Sequence, residues 1–366
     1  MLLPVVALIV VALCGLLLFG LATAKVGVLA VVIGVVAALV PVGLVVAAFL
    51  WIDRWEPEPA KMLLLAFVWG ACIATVTALL INSTAEAVGD LLLGSGNGNK
   101  LSALVSAPLV EEAAKGAFVL IVLWRRREEF DGIVDGIVYA GFSAAGFAFT
   151  ENIYYFGRAF AESGFGNGTS SGVLAAFVLR GLLSPFTHPL FAVMTGIGIG
   201  FAAKTSSRQL RILAPLGGYL AAVCLHALWN AAAILGGAKT FLNVYFLIMV
   251  PLFIGVFSVV LMQRRREQRI VAAALPQMAA ARWIAPSEVE LLASLSGRRE
   301  WRKQARKQSG RQAARAVGQY QSSVTELAFL RRNDVHTEDA KRRQDELLNV
   351  LRASRAEAVR LAENGG

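Results

Sequence analysis

The sequence has few charged residues for its length. Asp, Glu, Lys and Arg make up 16% of its 366 residues, whereas 57% are hydrophobic. An average soluble domain carries about 25% charged residues. This composition excludes a soluble globular protein for most of the chain and predicts an integral membrane protein.

Basic residues are especially scarce in the first 262 residues. Residues 263–366 hold 21 of the 35 Lys and Arg residues but only 12 of the 25 Asp and Glu residues, so the formal net charge of +10 lies almost entirely there. We therefore predict two domains. Residues 1–262 form a multi-pass membrane domain, and residues 263–366 form a basic, mostly helical cytoplasmic tail.

Two common kinds of site are missing. The three cysteines, Cys14, Cys72 and Cys224, all lie inside apolar runs, which argues against a disulfide framework. The sequence also has no His-Glu-x-x-His motif, so the usual zinc-protease helix is excluded.

Long apolar runs, by contrast, are abundant. A membrane-spanning helix needs about 20 apolar residues. Eight runs approach or exceed that length, namely residues 2–24, 26–52, 62–81, 101–124, 133–156, 173–203, 212–236 and 241–262. They predict an all-α, polytopic transmembrane helical bundle of about eight spans. The sixth run is too long for one span, and its Pro185 and Pro189 predict a break near His188.

The segments that connect these runs differ in positive charge. Residues 54–61, 125–127, 204–211 and 264–269 contain twelve Lys and Arg residues, whereas the alternate connections contain four. Because Lys and Arg accumulate on the cytoplasmic side, this bias predicts a cell-membrane protein with both termini in the cytoplasm.

Three ionisable residues, Glu111, Glu112 and Lys115, interrupt the fourth apolar run. Each costs roughly 2.5–3.5 kcal/mol at the centre of a bilayer, and such residues usually face a bundle interior or a water-filled cavity. Glu111 and Lys115 share one helix face because they are four residues apart. A functional site is one interpretation of this cluster, and a buried ion pair that joins two helices is the other.

Further polar residues occur in the next three runs: Glu151, Asn152, His188, His226 and Asn230. Converging carboxylates and imidazoles suit the activation of water. A glutamate can act as general base, while histidine or asparagine stabilises the oxyanion. Alternatively, a glutamate and the two histidines can bind zinc and leave one position open for water.

Several of these stretches together resemble the PrsW family of intramembrane proteases, which is related to the CAAX-prenyl-protease and bacteriocin-processing membrane peptidases. The resemblance covers residues 40–230. It is carried by Glu111-Glu112-x-x-Lys115, Phe147-x-x-x-Glu151-Asn152, His188-Pro189-Leu190-Phe191 and His226-x-x-Trp229-Asn230, with Asp53-Arg54-Trp55-Glu56-Pro57-Glu58-Pro59 and Asp135-Gly136-Ile137-Val138-Tyr139 as accessory stretches.

The resemblance implies an endopeptidase that hydrolyses membrane-embedded or juxtamembrane protein substrates, as in the regulated cleavage of an anti-sigma factor. Glu111 would be the water-activating base, with Glu112 essential beside it. His188 and His226 would complete the catalytic site, and Asn230 would support the oxyanion.

Three further residues, Lys115, Glu151 and Asn152, would support this site. The related prenyl-proteases carry a histidine where this chain has Glu151, so its role stays open between metal ligand, proton relay and structural partner. The family has been described both as metal-dependent and as glutamate-type. We expect a metal-independent enzyme; if zinc is the cofactor, Glu111, His188 and His226 would bind it.

Two other functions compete with the peptidase. A proton- or cation-coupled transporter would also bury carboxylates and histidines, but it would typically show an internal repeat with paired broken helices. This sequence has no such repeat. A catalytically inactive membrane scaffold would not need the complete set of Glu, His and Asn residues.

The tail is predicted to be helical. Ser287 should open one helix through a capping box. A second helix should begin near Thr337 and carry Leu347, Leu351 and Val359 on one stripe. The tail is then a solvated helical hairpin, a surface that adheres to anionic lipid, or a docking module for a cytoplasmic protein. Nucleic acid is not an expected partner because aromatic residues are sparse there.

Overall fold

The computed structural model describes residues 2–127, 130, 132–166, 171–332 and 338–363, and all regular secondary structure in these ranges is helical. The chain forms two compact units. The first contains Met1–Ile52 and Glu58–Ser258, and the second contains Asp53–Pro57 and Val259–Gly366. The predicted all-α architecture is confirmed.

In the part of the chain that the structure describes, the first unit is built from α-helices and four short π-helical segments. The α-helices are α1 (Leu2–Val26), α2 (Val28–Ile52), α3 (Ala60–Val68), α4 (Thr75–Leu93), α5 (Asn97–Leu101), α6 (Ala107–Arg125), α7 (Ile133–Ser163), α8 (Gly172–Ala176), α9 (Thr187–Lys204), α10 (Arg208–Leu235), α11 (Gly237–Val244) and the start of α12 (Val250–Ala280). The π-helical segments are Trp69–Ala74, Ser102–Ser106, Phe177–Leu183 and Tyr245–Met249.

Within the described residues, seven helical stretches are long and apolar enough to cross a membrane, which shows a multi-pass membrane protein. They are Leu8–Val26, Val28–Ile52, Ala60–Leu93, Ile133–Ser163, Gly172–Lys204, Arg208–Leu235 and Gly237–Ala280. The fourth predicted run also lies in continuous helix, from α5 to α6, but its charged residues set it apart from these seven. Its crossing of the membrane stays a prediction.

Helix α7 lies at the centre of the first unit, where it packs against α2, α3 and α9. Its N-terminal half is buried from Asp135 to Phe147. Small residues allow the close contact with α9, since a Cβ added at Gly136 would lie 2.1 Å from the carbonyl oxygen of Gly196. This close packing is typical of membrane helices. It brings the part of α7 that carries Glu151 towards the start of α9.

The predicted break in the sixth run is confirmed. The π-helical segment Phe177–Leu183 ends before three non-helical residues, and α9 begins at Thr187. Pro185 and Pro189 explain the break because proline supplies no N–H for the helical hydrogen bonds. His188 therefore lies in the first turn of α9.

The second unit has a conventional hydrophobic core. The rest of α12 is followed by a 3₁₀ turn (Pro286–Glu288), α13 (Val289–Leu292), α14 (Leu295–Arg332), which is kinked at Gly310, and α15 (Glu338–Glu363). Trp55 is buried in this core together with Leu275, Tyr320, Leu327 and Leu351. A tryptophan from the Asp53–Pro57 segment thus completes the core of the tail.

Two predictions about the tail were wrong. Ser287 does not cap a helix, because it lies inside the 3₁₀ turn, where the Glu288 carboxylate accepts the Ala285 N–H at 2.8 Å. Val359 is 48% exposed, whereas Leu351 is buried. Eight residues of α-helix turn through about 80° beyond two full turns, which moves Val359 off the buried stripe.

The mostly helical character of the tail is confirmed. Thr337, the expected start of its second helix, lies outside the described residues, and α15 begins at Glu338. Helix α12 runs without interruption through residue 262, so no loop marks the expected domain boundary there, and that boundary stays a prediction.

Candidate active site

Helix α6 presents Glu111, Glu112 and Lys115 inside the first unit, and all three are buried. The Lys115 Nζ lies 2.6 Å from Glu112 Oε1 and 3.8 Å from Glu111 Oε2. One lysine is therefore shared by two carboxylates but donates a hydrogen bond only to Glu112. A net negative charge remains, and Glu111 Oε2 has no hydrogen-bond partner among the described residues.

His226 of α10 is oriented by Glu112. Its Nδ1 lies 2.9 Å from Glu112 Oε1, and its Nε2 lies 3.9 Å from Glu111 Oε2. An ionised carboxylate can only accept a hydrogen bond, so Nδ1 carries the hydrogen and the Nε2 lone pair faces Glu111. Phe191 stacks on the imidazole with ring centroids 5.3 Å apart, which fixes the plane of the ring.

His188 of α9 is held in a similar way by Glu151. Its Nε2 lies 2.8 Å from Glu151 Oε2, while its buried Nδ1 has no hydrogen-bond partner within the described ranges. The rings of His188 and His226 lie 5.7 Å apart and nearly perpendicular. Each imidazole thus has one nitrogen fixed by a glutamate and one nitrogen that is free to bind something else.

Arg180 is a site residue that the sequence interpretation missed. It lies in the π-helical segment Phe177–Leu183, with Nη2 2.5 Å from Glu151 Oε2, and its Nε donates to Asn152 Oδ1 at 2.9 Å. Its guanidinium also lies 3.9 Å from the centre of the Tyr155 ring. An arginine inside an apolar run was the available signal, because a membrane-embedded charge is costly unless it has a function.

A second missed residue is Asn82 of α4. Its Nδ2 donates to Glu111 Oε1 at 3.4 Å, and its Oδ1 accepts a 2.7 Å hydrogen bond from Ser106 Oγ. The signal was weak, since Asn82 directly follows the third apolar run. This amide orients the second oxygen of Glu111.

Asn230 lies one turn after His226 on the same face of α10. Its Nδ2 donates to the carbonyl oxygen of Ala103 at 2.8 Å, which joins α10 to the π-helical segment Ser102–Ser106. The amide nitrogen has a second hydrogen. The expected role of Asn230 at the oxyanion stays a prediction.

Three of these residues form a group that can hold a metal ion. Glu111, His188 and His226 each offer one ligand atom, and these atoms lie within 4.8 Å of one another. Glu111 Oε2 and His188 Nδ1, which are of the atom types that bind metals, are buried without a hydrogen-bond partner in the described part of the chain. Burial of such atoms is costly unless water or an ion satisfies them, so the residues present fit a metal.

The type of donor also matters. A carboxylate and two imidazoles form one of the ligand sets of catalytic zinc sites, which leave a position for water or substrate. Carboxylates behind the histidines, here Glu112 and Glu151, are the usual partners that orient such ligands. The geometry therefore favours a metal-dependent site over the metal-independent one that we expected.

A cavity of about 390 Å³ adjoins this site. His188, Arg180 and Asn152 lie on its wall, and so do Ser184 and Pro185 of the helix break. Non-helical backbone at membrane depth is tolerated where protein or a water-filled cavity covers it. The break beside His188 therefore fits a water-filled cavity through which water reaches His188.

Known proteins provide an independent comparison. The profile described as "PrsW family intramembrane metalloprotease" matches residues 58–256. The protein Protease PrsW of Geobacillus kaustophilus is 32% identical over 155 residues, which are 42% of this chain and 60% of that relative. The namesake from Oceanobacillus iheyensis is 30% identical over 47% of this chain and 70% of the relative.

A third relative, Protease PrsW of Bacillus subtilis, is 27% identical over 49% of this chain and 72% of its own length. The match to the Geobacillus protein covers 60% of that relative, which is less than two thirds of its length. No solved structure matches the chain. Because the family profile covers more than half of its residues, this chain belongs to the PrsW family of intramembrane metalloproteases.

Proposed function

We propose that this protein is an intramembrane endopeptidase that hydrolyses peptide bonds of membrane-embedded or juxtamembrane proteins, as in regulated proteolysis. One observation carries the proposal: a buried imidazole, His226, and a partly buried one, His188, are each fixed by a glutamate and lie close to a third carboxylate, the buried Glu111. Membership of a protease family favours this function over a transporter or an inactive scaffold.

Glu111 is the residue to which we assign the activation of water. The 3.9 Å between its Oε2 and His226 Nε2 is too long for a direct hydrogen bond, and a separation of this size suits a bridging water. A carboxylate in that position accepts a proton from the water and returns it to the leaving amine. Lys115, 3.8 Å away, limits the repulsion between Glu111 and Glu112.

We further propose that Glu111, His188 and His226 hold zinc; with the ion bound, Glu111 would be one of its ligands, and the ion would take the place of the bridging water between Glu111 and His226. An ion in this position supplies Lewis-acid polarisation to a peptide carbonyl and to water. The chain's own contribution is orientation. Glu112 fixes the tautomer of His226, and Glu151, which is itself bound by Arg180, fixes that of His188. This assigns Glu151 an orienting role.

The test uses the full-length protein in lipid, single-span membrane substrates and the variant Glu111→Gln, which keeps the size of the side chain but removes its charge. We expect cleavage to fall at least about 100-fold, the range in which general acid–base groups contribute. The matched control is Glu86→Gln, which changes an exposed carboxylate on α4 and should cleave normally. Cleavage by Glu111→Gln at the wild-type rate would refute the proposal.

The metal is tested separately by elemental analysis of the purified chain, with and without a strong chelator. We expect about one zinc per chain, lost together with activity and restored by added zinc. A metal-free chain that still cleaves would reject the zinc site but retain the peptidase. In that case, Glu111 and the histidines would act as a glutamate-type site.

The proposed topology has both termini in the cytoplasm, with the charged helix that ends in α6 as an eighth span. The Lys and Arg bias of the connecting segments supports it. A reporter enzyme that works only in the cytoplasm should be active when it is fused after Gly366. A periplasmic or extracellular signal would reject this topology.

A further inference from the structure

The cavity beside His188 has more room than a water site needs. A volume of about 390 Å³ corresponds to roughly a dozen waters at about 30 Å³ each, and it lies within the range of ligand-binding cavities. We propose that this cavity is a substrate subsite that receives an extended stretch of the substrate, with large apolar side chains next to the scissile bond. The inference rests on the proposed function and names its substrate class.

The position of the cavity links it to the reaction. It is lined by residues of α7, α8, the π-helical segment Phe177–Leu183, the helix break, α9, α10 and α11. His188 lies on its wall in the first turn of α9. A polypeptide seated in the cavity therefore reaches the imidazole that faces Glu111 and His226.

The helix break leaves a backbone carbonyl that can accept a hydrogen bond from unwound substrate backbone. The carbonyl of Pro185 cannot receive the usual hydrogen bond from four residues onward, because Pro189 has no N–H. A substrate helix must unwind before its peptide bond can be attacked, and its exposed N–H groups then need acceptors. The Pro185 carbonyl is such an acceptor at the edge of the cavity. Extended peptides are bound through main-chain hydrogen bonds in a similar way at exposed sheet edges.

Charge compensation indicates which side chains fit. The two cations on the wall, Arg180 and Arg158, are paired with Glu151 at 2.5 Å and with Glu162 at 2.7 Å. The cavity therefore offers no uncompensated charge to a charged substrate residue. The rings of Trp229 and other aromatic residues supply apolar wall instead.

Small residues create the space. Four alanines line the cavity: Ala148, Ala159, Ala176 and Ala233. Larger side chains at these positions would project into it. Ala148 and Ala176 are the most useful of the four, because they lie on different elements, α7 and α8, and so test the same volume from two sides.

The experiment measures kcat/KM for paired single-span substrates that carry Phe or Ala at each residue flanking the scissile bond. In the wild type, we expect one position to prefer Phe over Ala by about 10-fold or more, in line with discrimination by apolar pockets. Ala148→Leu and Ala176→Leu should each lower that Phe-to-Ala ratio by at least about 10-fold. The matched control is Ala221→Leu, an exposed position of α10 away from the cavity, which should leave the ratio unchanged.

Each outcome bears on the inference. An unchanged ratio in both cavity variants, or an equal loss with both substrates, would overturn the subsite while the peptidase stands. A wild-type chain that cleaves nothing would remove the proposed function and the subsite together. A readout without turnover uses the Glu111→Gln protein and a substrate with a photoreactive phenylalanine at the preferred position: cross-linking to Leu179 or Trp229 supports the subsite, and cross-linking only elsewhere contradicts it.

Discussion

Among the described residues, Lys115 in the first unit and Arg298 in the second are the most deeply buried cations, and they have opposite surroundings. Lys115 in the first unit is 0% exposed and lies between two carboxylates. Arg298 in the second unit is 4% exposed and donates to the carbonyl oxygens of Leu292 and Gln321 and to the Thr325 hydroxyl. One cation is surrounded by opposite charge and the other by neutral acceptors.

The surroundings of Arg298 are those of a structural residue. Its guanidinium also lies 5.0 Å from the centre of the Trp55 ring. Burial, followed by the nearby charge of Arg302, lowers the pKa of Arg298 to about 10, so it stays protonated at neutral pH. This arginine joins the end of α13 to α14 through hydrogen bonds from Nε and Nη1, and only its buried Nη2 has no hydrogen-bond partner among the described residues.

The surroundings of Lys115 differ because negative charge is in excess there. Two carboxylates face one ammonium group, and two oxygens, one each on Glu111 and Glu112, have no hydrogen-bond partner among the described residues. Buried polar atoms without partners are rare in ordinary cores and call for an explanation. Since Arg298 also has one such atom, the excess of negative charge is what distinguishes the Lys115 cluster. The contrast teaches that an unbalanced charge cluster indicates function more strongly than burial of charge alone.

The largest expected effect comes from removing the cation of the first unit. Lys115→Met should lower the free energy of unfolding by about 3–5 kcal/mol, because it leaves buried carboxylates without compensation. The measurement is denaturant unfolding of the chain in micelles. The control Lys100→Met removes an exposed lysine of α5 and should change little. Equal stability of the two variants would mean that the buried Glu112 carboxylate does not need Lys115 to compensate its charge.

An intermediate effect is expected at Arg180, which orients the site from a distance. Arg180→Gln should weaken zinc binding by about 10–100-fold, the usual cost of losing a partner that orients a metal ligand. Arg180→Lys should recover only part of this loss, because lysine cannot bond Glu151 and Asn152 with one planar group. Chelator competition measures the affinity, and Arg208→Gln, at an exposed position, is the control. Unaltered zinc affinity in Arg180→Gln would show that Glu151 positions His188 without help from Arg180.

The smallest effect is expected in the second unit. Arg298→Met should lower its free energy of unfolding by about 1–2 kcal/mol, because the neutral acceptors lose their donor but no charge is stranded. Hydrogen exchange of α14 in the full-length chain reports this change, with the exposed Arg306→Met as control. A loss as large as that of Lys115→Met would break the contrast between Lys115 and Arg298.

Much of the fold was predictable from local patterns. Apolar runs of about 20 residues predicted the membrane helices, and the prolines at 185 and 189 predicted the break before α9. Errors occurred where a pattern is short. The capping motif at Ser287 fits a helix start equally well as a 3₁₀ turn, and the stripe through Val359 drifts off the core face.

The candidate site was predictable in composition but not in connection. Polar residues in apolar runs indicated Glu111, His188 and His226, and the structure brings their ligand atoms together. Arg180 was missed because its partner Glu151 lies 29 residues away on another helix. Spacing along one helix shows which side chains share a face, but it does not show what that face meets.

The amino-acid sequence by itself determined the class of this protein, an α-helical membrane protein with a basic helical tail, because hydrophobicity and charge act over short stretches of chain. It also determined which residue types were available for chemistry. Only the tertiary structure decided which nitrogen of each histidine is free, that Arg180 holds Glu151, and that Trp55 completes the core of the tail. These features depend on contacts between segments distant in sequence, and packing of complementary surfaces selects such contacts.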